Sequence, residues 1–175
     1  MDTDTLEKLK ALLIAKQLRI AVAESLTCGR LQAALGSISG ASDFFEGGVT
    51  AYNLNQKSRL LSVDKQHAKS VNSISQQVAF ELASGACSLF RADIGIGTTG
   101  YAEPSPENGA HEPMAYFAIC RRRAGKIQQI DGKQVRGTGL NRVQMQEHVS
   151  AVALDSLLSY VETCEPADPK TPSTP

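Results

Sequence analysis

The sequence has no excess of charge of either sign, because 18 lysine and arginine residues are balanced by 18 aspartate and glutamate residues. A protein that binds nucleic acid mainly through its overall charge needs a basic face for the phosphate backbone. The balance excludes that class of binder, and we expect no nucleic-acid partner. A local pocket for a small anion stays possible.

The sequence also lacks any apolar run near the roughly 18 residues that a membrane-spanning helix requires. Its first residues, MDTDTLEKLK, are acidic and polar, which is not the pattern of a secretory signal peptide. We therefore expect a cytoplasmic protein with no membrane partner.

Metal-binding motifs are missing as well. The four cysteines form no C-x-x-C pair, and no histidine cluster accompanies them. This pattern argues against a zinc site and indicates reduced, mostly buried thiols. We expect no metal and no cofactor. The four are Cys28, Cys87, Cys120 and Cys164.

The chain does contain enough apolar residues, 42%, to form a core. The order of its periodic segments predicts an α/β fold, a layered α/β/α domain with a mixed β-sheet. We predict one domain over 1–162 and a disordered proline-rich tail over 163–175. Helices are predicted at 3–17, 26–36, 55–62, about 75–90 and 141–161, strands at 18–23, 48–53, 92–100 and 114–120, and a strand and turn or a hairpin at 126–135.

The joint between the first strand and the second helix reads AESLTCG and contains an acid, two hydroxyls and a glycine. In α/β sheets, ligands bind where strands end, and the first amides of a helix favour an anion. Ser25 would lie where a nucleophile belongs. The alternative is that Ser25 or Thr27 is only the helix N-cap. The stretch matches neither G-x-S-x-G nor the P-loop pattern, so both interpretations stay open.

A catalytic serine needs a base, and none of the three histidines (His67, His111 and His148) is well placed in the sequence. A lysine can serve if its pKa falls from about 10.4 toward 7 or 8, which costs roughly 4 kcal/mol. Tyr52 and Lys57 follow the second strand and are candidates at the same sheet edge. Arg142 opens the last helix, and is either solvated or faces an anionic ligand.

Four segments together resemble the C-terminal domain of the competence/damage-inducible protein CinA over residues 5–160. The family typically reads A-E-S-C-T-G-G at the first joint, T-Y-S-N-x-x-K at the second and G-D/N-R at the last helix. The segments of this chain are AESLTCGRLQAAL, GASDFFEGGVTAYNLNQKSRLLSV, SISQQVAFELASGACSLFRADIGIGTTG and GLNRVQMQEHVSAVAL.

The resemblance implies a nicotinamide-nucleotide amidase, which hydrolyses the carboxamide of nicotinamide mononucleotide without a metal. It implies Ser25 as nucleophile, Lys57 as its base and Tyr52 as the hydroxyl that relays or orients. It also implies a small-molecule nucleotide substrate and a homo-oligomer. The residues implied to bind substrate are Glu24, Thr27, Gly29, Gly97, Gly100 and Arg142.

This chain departs from the family pattern in three places. At the first joint Cys28 replaces a glycine, and before the last helix Leu140 replaces the glycine that precedes Asn141 and Arg142. The loop that reads T-G-I-A-G-P-D/E-G-G in the family is longer and altered over 101–113. An alternative is therefore an inactive or weakly active relative that binds a nucleotide-like ligand or a protein partner. A purely structural or partner-binding domain is the third interpretation.

Overall fold

The computed structural model describes residues 3–168 as one mixed sheet between two layers of helices. The predicted α/β/α architecture is confirmed. The helices are α1 (Thr3–Ala15), α2 (Arg30–Gly36), α3 (Leu54–Leu61), α4 (Lys65–Ser70), α5 (Gln76–Phe90) and α6 (Arg142–Thr163), and the strands are β1 (Ile20–Glu24), β2 (Phe45–Thr50), β3 (Ile94–Tyr101), β4 (Met114–Arg123) and β5 (Lys126–Arg136).

The sheet has the order β2-β1-β3-β4-β5. β1 runs parallel to both of its neighbours, while β3, β4 and β5 pair antiparallel. Every residue of β1 is buried, as expected for a central strand that helices cover on both faces. Because β1 and β2 are parallel neighbours, with Glu24 paired to Thr50, the segments that follow them leave the sheet side by side.

The two faces of the sheet have separate cores. Helices α1, α2 and α6 cover one face, where leucines of α1 and α2 meet the apolar stripe of α6. Helices α3, α4 and α5 cover the other face. Helix α5 approaches β3 very closely: a Cβ on Gly97 would lie 2.2 Å from the carbonyl oxygen of Ala79. Glycine is needed there for close packing.

Several predicted boundaries are wrong. Helix α2 begins at Arg30, four residues after the predicted start, and β2 covers 45–50 where 48–53 was predicted. Helix α4 was missed because it is six residues long and buries only Ala68. The loop predicted over 101–113 contains the last residue of β3 and a short 3₁₀ turn at Pro106–Asn108.

The turn or hairpin predicted within 126–135, where the sequence contains an Asp-Gly pair, is also wrong. Strand β5 continues through Asp131 and Gly132, where the Asp131 carboxylate accepts a hydrogen bond from the Gly132 amide at 2.7 Å. The chain reverses instead at Ala124 and Gly125, both with positive φ, as a two-residue hairpin loop requires.

The first residues of the predicted tail make specific contacts. The carbonyl of Cys164 accepts a hydrogen bond from Lys16 Nζ at 2.6 Å, and the amide of Ala167 donates to the carbonyl of Lys16 at 2.9 Å. Arg121 Nη2 donates to the carbonyl of Pro166 at 3.0 Å. Residues 164–168 therefore pack on the domain, and the rest of the predicted tail, 169–175, lies outside the described residues.

Two further expectations concern helices and thiols. Across residues 3–168, no helix combines the length and apolar character needed to cross a bilayer. All four cysteines are free thiols. Cys87 and Cys120 are buried, whereas Cys28 is exposed and Cys164 is half-buried, so the expectation of mostly buried thiols holds for two of the four.

Candidate active site

Ser25 and Lys57 lie in direct contact at the carboxyl edge of the sheet. Lys57 Nζ donates a hydrogen bond to Ser25 Oγ at 2.9 Å, and both residues are buried. Ser25 is the first residue after β1, and its amide donates to the carbonyl of Thr98 on β3 at 3.1 Å. The serine is thus held by two adjacent strands, and its hydroxyl faces an amine.

The position of Lys57 follows from how α3 begins. The Asn53 side chain caps the helix by accepting a hydrogen bond from the Gln56 amide at 3.1 Å. Lys57 comes one turn later, on the buried side of the helix together with Leu61. A lysine on the inner face of a short helix that follows β2 therefore reaches the end of β1.

Burial changes the acid-base chemistry of this amine. The residue is only 3% exposed, and desolvation of the charged form lowers the pKa of Lys57 from 10.5 to about 8. Its two hydrogen-bond acceptors are Ser25 Oγ and the carbonyl of Tyr52, which are both uncharged. An amine with this pKa is partly neutral near pH 7 and can accept a proton from a serine hydroxyl.

Tyr52 connects this pair to the outer part of the site, but not as expected. Its carbonyl accepts a hydrogen bond from Lys57 Nζ at 3.1 Å, while its hydroxyl lies 2.8 Å from Arg142 Nη2. The phenol makes no hydrogen bond to Ser25 or Lys57, so this arrangement does not provide the relay, and the alternative role of orienting stays a prediction. The backbone of Tyr52, not its side chain, holds the amine.

Arg142 is 46% exposed and at the same time paired, so it is neither simply solvated nor open to a ligand. Its Nη1 lies 2.5 Å from Glu103 Oε2, and its Nη2 contacts the phenol of Tyr52. Glu103 and Tyr52 together raise the pKa of Arg142 above its usual range. The residue opens α6, whose first turn is fixed by a capping box between Asn141 and Gln144.

Glu24 has a different position from the one expected for a substrate ligand. Its carboxylate is buried and accepts hydrogen bonds from the amides of Gly29 (2.9 Å), Leu31 (3.2 Å) and Gln32 (2.9 Å), and from Gln32 Nε2 (3.2 Å). A carboxylate at a helix N-terminus satisfies free amides and complements the helix dipole. Neither Ser25 nor Thr27 is the N-cap, and these first amides of α2 do not face a ligand.

The other predicted binding residues divide into two groups. Gly100 and Arg142 line a cavity that also contains Ser25 and Lys57. Thr27, Gly29 and Gly97 do not. The hydroxyl of Thr27 is buried against Thr98 Oγ1 at 2.8 Å, Gly29 has a left-handed conformation (φ 96°) at the start of α2, and Gly97 packs against α5.

The cavity has a volume of about 530 Å³, which is within the range of small-molecule sites. Ser25 lies at its buried end and the Arg142–Glu103 pair at its exposed end. Sequence reasoning missed several of its lining residues because they lie in α4, in the turn after it, at the end of β3 or in the irregular loop that follows β3. These include Lys69, Asn72, Ser73, Tyr101, Glu103 and Ser105.

Comparison with known proteins identifies similar sequences in one family. The model of the CinA C-terminal domain matches residues 2–161. A CinA-like protein of Chlorobium limicola is 34% identical over 166 residues, which cover 92% of this chain and 38% of that protein. Protein YdeJ of Escherichia coli is 37% identical over 123 residues, covering 67% of this chain and 72% of its own length.

Solved structures show the same similarity. The competence damage-inducible protein A (ComA) of Klebsiella pneumoniae has a TM-score of 0.84 at 26% identity, covering 93% of this chain and 98% of that one. A CinA superfamily protein of Escherichia coli is 31% identical with a TM-score of 0.69, covering 91% and 90%. The chain spans little more than a third of the relative from Chlorobium but nearly all of these structures.

Proposed function

Because the chain belongs to the CinA C-terminal domain family, we propose that it is a serine amidohydrolase that converts nicotinamide mononucleotide to nicotinate mononucleotide and ammonia. The observation that carries this proposal is the 2.9 Å contact between Ser25 Oγ and Lys57 Nζ inside a cavity of suitable size. In an exposed pair the lysine would keep its ordinary pKa and stay protonated near pH 7, so it could not act as a base. Here the burial of the amine makes the neutral form accessible.

The reaction follows from these two groups. Lys57 Nζ takes the proton of Ser25 Oγ as the oxygen attacks the carboxamide carbon, and the resulting ammonium delivers that proton to the departing nitrogen. The C–N bond breaks, ammonia leaves, and an ester joins the acyl group to Ser25. Water then attacks the ester, giving its proton to Lys57, which returns it to Ser25 Oγ as the carboxylic acid is released.

The oxyanion formed in each step requires a hydrogen-bond donor. The amides of Gly29, Leu31 and Gln32 are already bound by Glu24, so the start of α2 does not supply it. The amide of Leu26 directly follows the nucleophile, and Leu26 lines the cavity. No hydrogen bond between the described residues involves that amide. We assign the oxyanion contact to it.

The test is direct. The purified protein is incubated with nicotinamide mononucleotide, and ammonia is measured for wild type, Ser25→Ala, Lys57→Met and the control Lys65→Met, which alters an exposed lysine of α4. The first two variants should lose at least about a thousandfold in kcat, and the control should match wild type. Turnover that survives in Ser25→Ala would overturn the proposal.

The pH dependence gives a second criterion. Because the base must be neutral, kcat/KM should rise tenfold per pH unit below the pKa of Lys57, about 8, and level off above it. A rate that is constant between pH 6 and pH 9 would argue against a lysine base.

A binding protein without turnover is the second candidate. The observation that favours it is the Glu103–Arg142 pair, which occupies the arginine expected to meet an anionic ligand. In that case nicotinamide mononucleotide should raise the melting temperature while no ammonia is released.

A further inference from the structure

The exposed end of the cavity has an unusual distribution of charge. Three cations line the cavity, Lys57, Lys69 and Arg142, and Glu103 is the one carboxylate among its lining residues in the part of the chain that the structure describes. Lys57 is hydrogen-bonded to Ser25 and is buried, so it does not lie at the exposed end. Arg142 and Glu103 form an ion pair at 2.5 Å, so their charges cancel where a ligand enters.

The same pair controls the geometry of the arginine. A guanidinium recognises phosphate best when both terminal nitrogens donate in parallel to it. Here Nη1 of Arg142 is bound to Glu103 and Nη2 to the phenol of Tyr52. A phosphate group that binds both terminal nitrogens in this way therefore competes with Glu103, and a carboxylate that moved aside would remain beside a group of its own sign.

Nothing else fixes Glu103 in this position. Its side chain is 57% exposed, and among residues 3–168 its carboxylate has no hydrogen-bond donor other than Arg142. It lies in the irregular segment after β3, next to Pro104, and not in the packed core. The contact with Arg142 is thus its principal interaction, and removing the charge should leave the fold intact.

We propose that Glu103 is a specificity-determining residue that reduces the preference of this cavity for a phosphorylated substrate. The proposal rests on the proposed amidohydrolase function and names its substrate class more closely. The enzyme should hydrolyse the cationic nicotinamide nucleoside, which lacks the phosphate, with a kcat/KM within about tenfold of that for the nucleotide. Glu103 competes only with the phosphate, because the carboxamide reacts at the opposite, buried end.

The kinetic test compares nicotinamide mononucleotide with nicotinamide riboside in wild type, Glu103→Gln and the control Glu112→Gln. Glu112 follows in the same segment and is also ion-paired, to Arg136, but does not line the cavity. Glu103→Gln should raise the nucleotide-to-nucleoside ratio of kcat/KM about three- to tenfold, through a lower KM for the nucleotide with kcat unchanged. Glu112→Gln should leave the ratio unchanged.

Repeating the comparison in an Arg142→Gln background separates an effect of the Glu103–Arg142 ion pair from a general effect of removing a negative charge. If Glu103 acts by occupying Arg142, the gain of Glu103→Gln should disappear when Arg142→Gln is also present. An unchanged ratio in Glu103→Gln, or an equal gain with and without Arg142, would overturn the proposal.

A binding measurement keeps the two proposals distinguishable. Inorganic phosphate is titrated calorimetrically into wild type, Glu103→Gln and Glu112→Gln, without any amide substrate. Glu103→Gln should bind phosphate about three- to tenfold more tightly than the other two. If no variant releases ammonia, the amidase proposal fails, while the phosphate titration still decides whether Glu103 opposes anion binding. Equal phosphate affinity in all three proteins would refute the role of Glu103.

Discussion

Replacing Lys57 by methionine should abolish hydrolysis and, at neutral pH, remove an electrostatic cost that wild type carries. Methionine retains the length and apolar stem of the side chain but has no charge to desolvate. The pKa of Lys57 falls from 10.5 to about 8, which corresponds to a cost of about 3 kcal/mol for the charged form in the folded protein. The variant avoids that cost but leaves Ser25 Oγ and the carbonyl of Tyr52 without their donor, at about 1 kcal/mol each.

The sign of the pH effect follows from proton binding. Since the folded pKa is lower than the unfolded one, the unfolded chain binds more protons between about pH 8 and pH 10.5. The free energy of unfolding of wild type therefore gains from this group as the pH rises through that window. Integrated from pH 7 to pH 10, the gain is about 2.5 kcal/mol. Lys57→Met lacks this group and lacks the gain.

The assay is urea unfolding of wild type and Lys57→Met at pH 7 and pH 10. The difference in unfolding free energy between them should change by about 2.5 kcal/mol between the two pH values, in favour of wild type at the higher pH. Other titrating groups are common to both proteins and cancel. Lys65→Met, which removes an exposed lysine, should show no such change. A difference for Lys57→Met that is the same at both pH values would refute the desolvated amine and with it the lysine base.

Three further predictions concern the framework around the site, each measured by urea unfolding at pH 7. Glu24→Gln should lower the unfolding free energy by about 2–3 kcal/mol, because an amide replaces the charge that binds three helix amides; a loss below about 0.5 kcal/mol would contradict this role. Gly97→Ala should cost about 2 kcal/mol or more, since its Cβ would lie 2.2 Å from the carbonyl oxygen of Ala79, whereas Gly36→Ala, with open space around it, should be neutral or stabilising. Asn141→Ala should cost about 1 kcal/mol by removing the capping box of α6, and an unchanged stability would show that the cap is dispensable.

The sequence predicted the features that depend on neighbouring residues. Helices α5 and α6 have long apolar stripes and side-chain caps, and their boundaries came within a residue or two of the observed ones. Strand β1 is a short apolar run that ends at Glu24, close to its predicted limits. The family resemblance added the pairing of Ser25 with Lys57, since these residues are 32 positions apart and meet only through the parallel alignment of β1 and β2.

The remaining features depend on tertiary packing. The family resemblance implied that Glu24 is a substrate ligand, but the start of α2 folds back over it and uses its carboxylate. The contact between Glu103 and Arg142 joins an irregular loop to a helix start 39 positions later, and no local pattern indicates it. No local pattern indicates the orientation of the Tyr52 phenol either, because its hydroxyl accepts a hydrogen bond from Arg142, which is distant in the sequence.

The way in which Glu24 secures the start of α2 has a consequence for evolution. Because this acid holds the helix from the direction of the sheet, the exposed side chain of Cys28 has no capping role, and mutation can alter it without loosening the joint. Cys28, which stands where the family pattern has glycine, is a substitution of this kind. Position 28 can therefore vary in sequence while Glu24 keeps the start of α2 in register with the strand that carries Ser25.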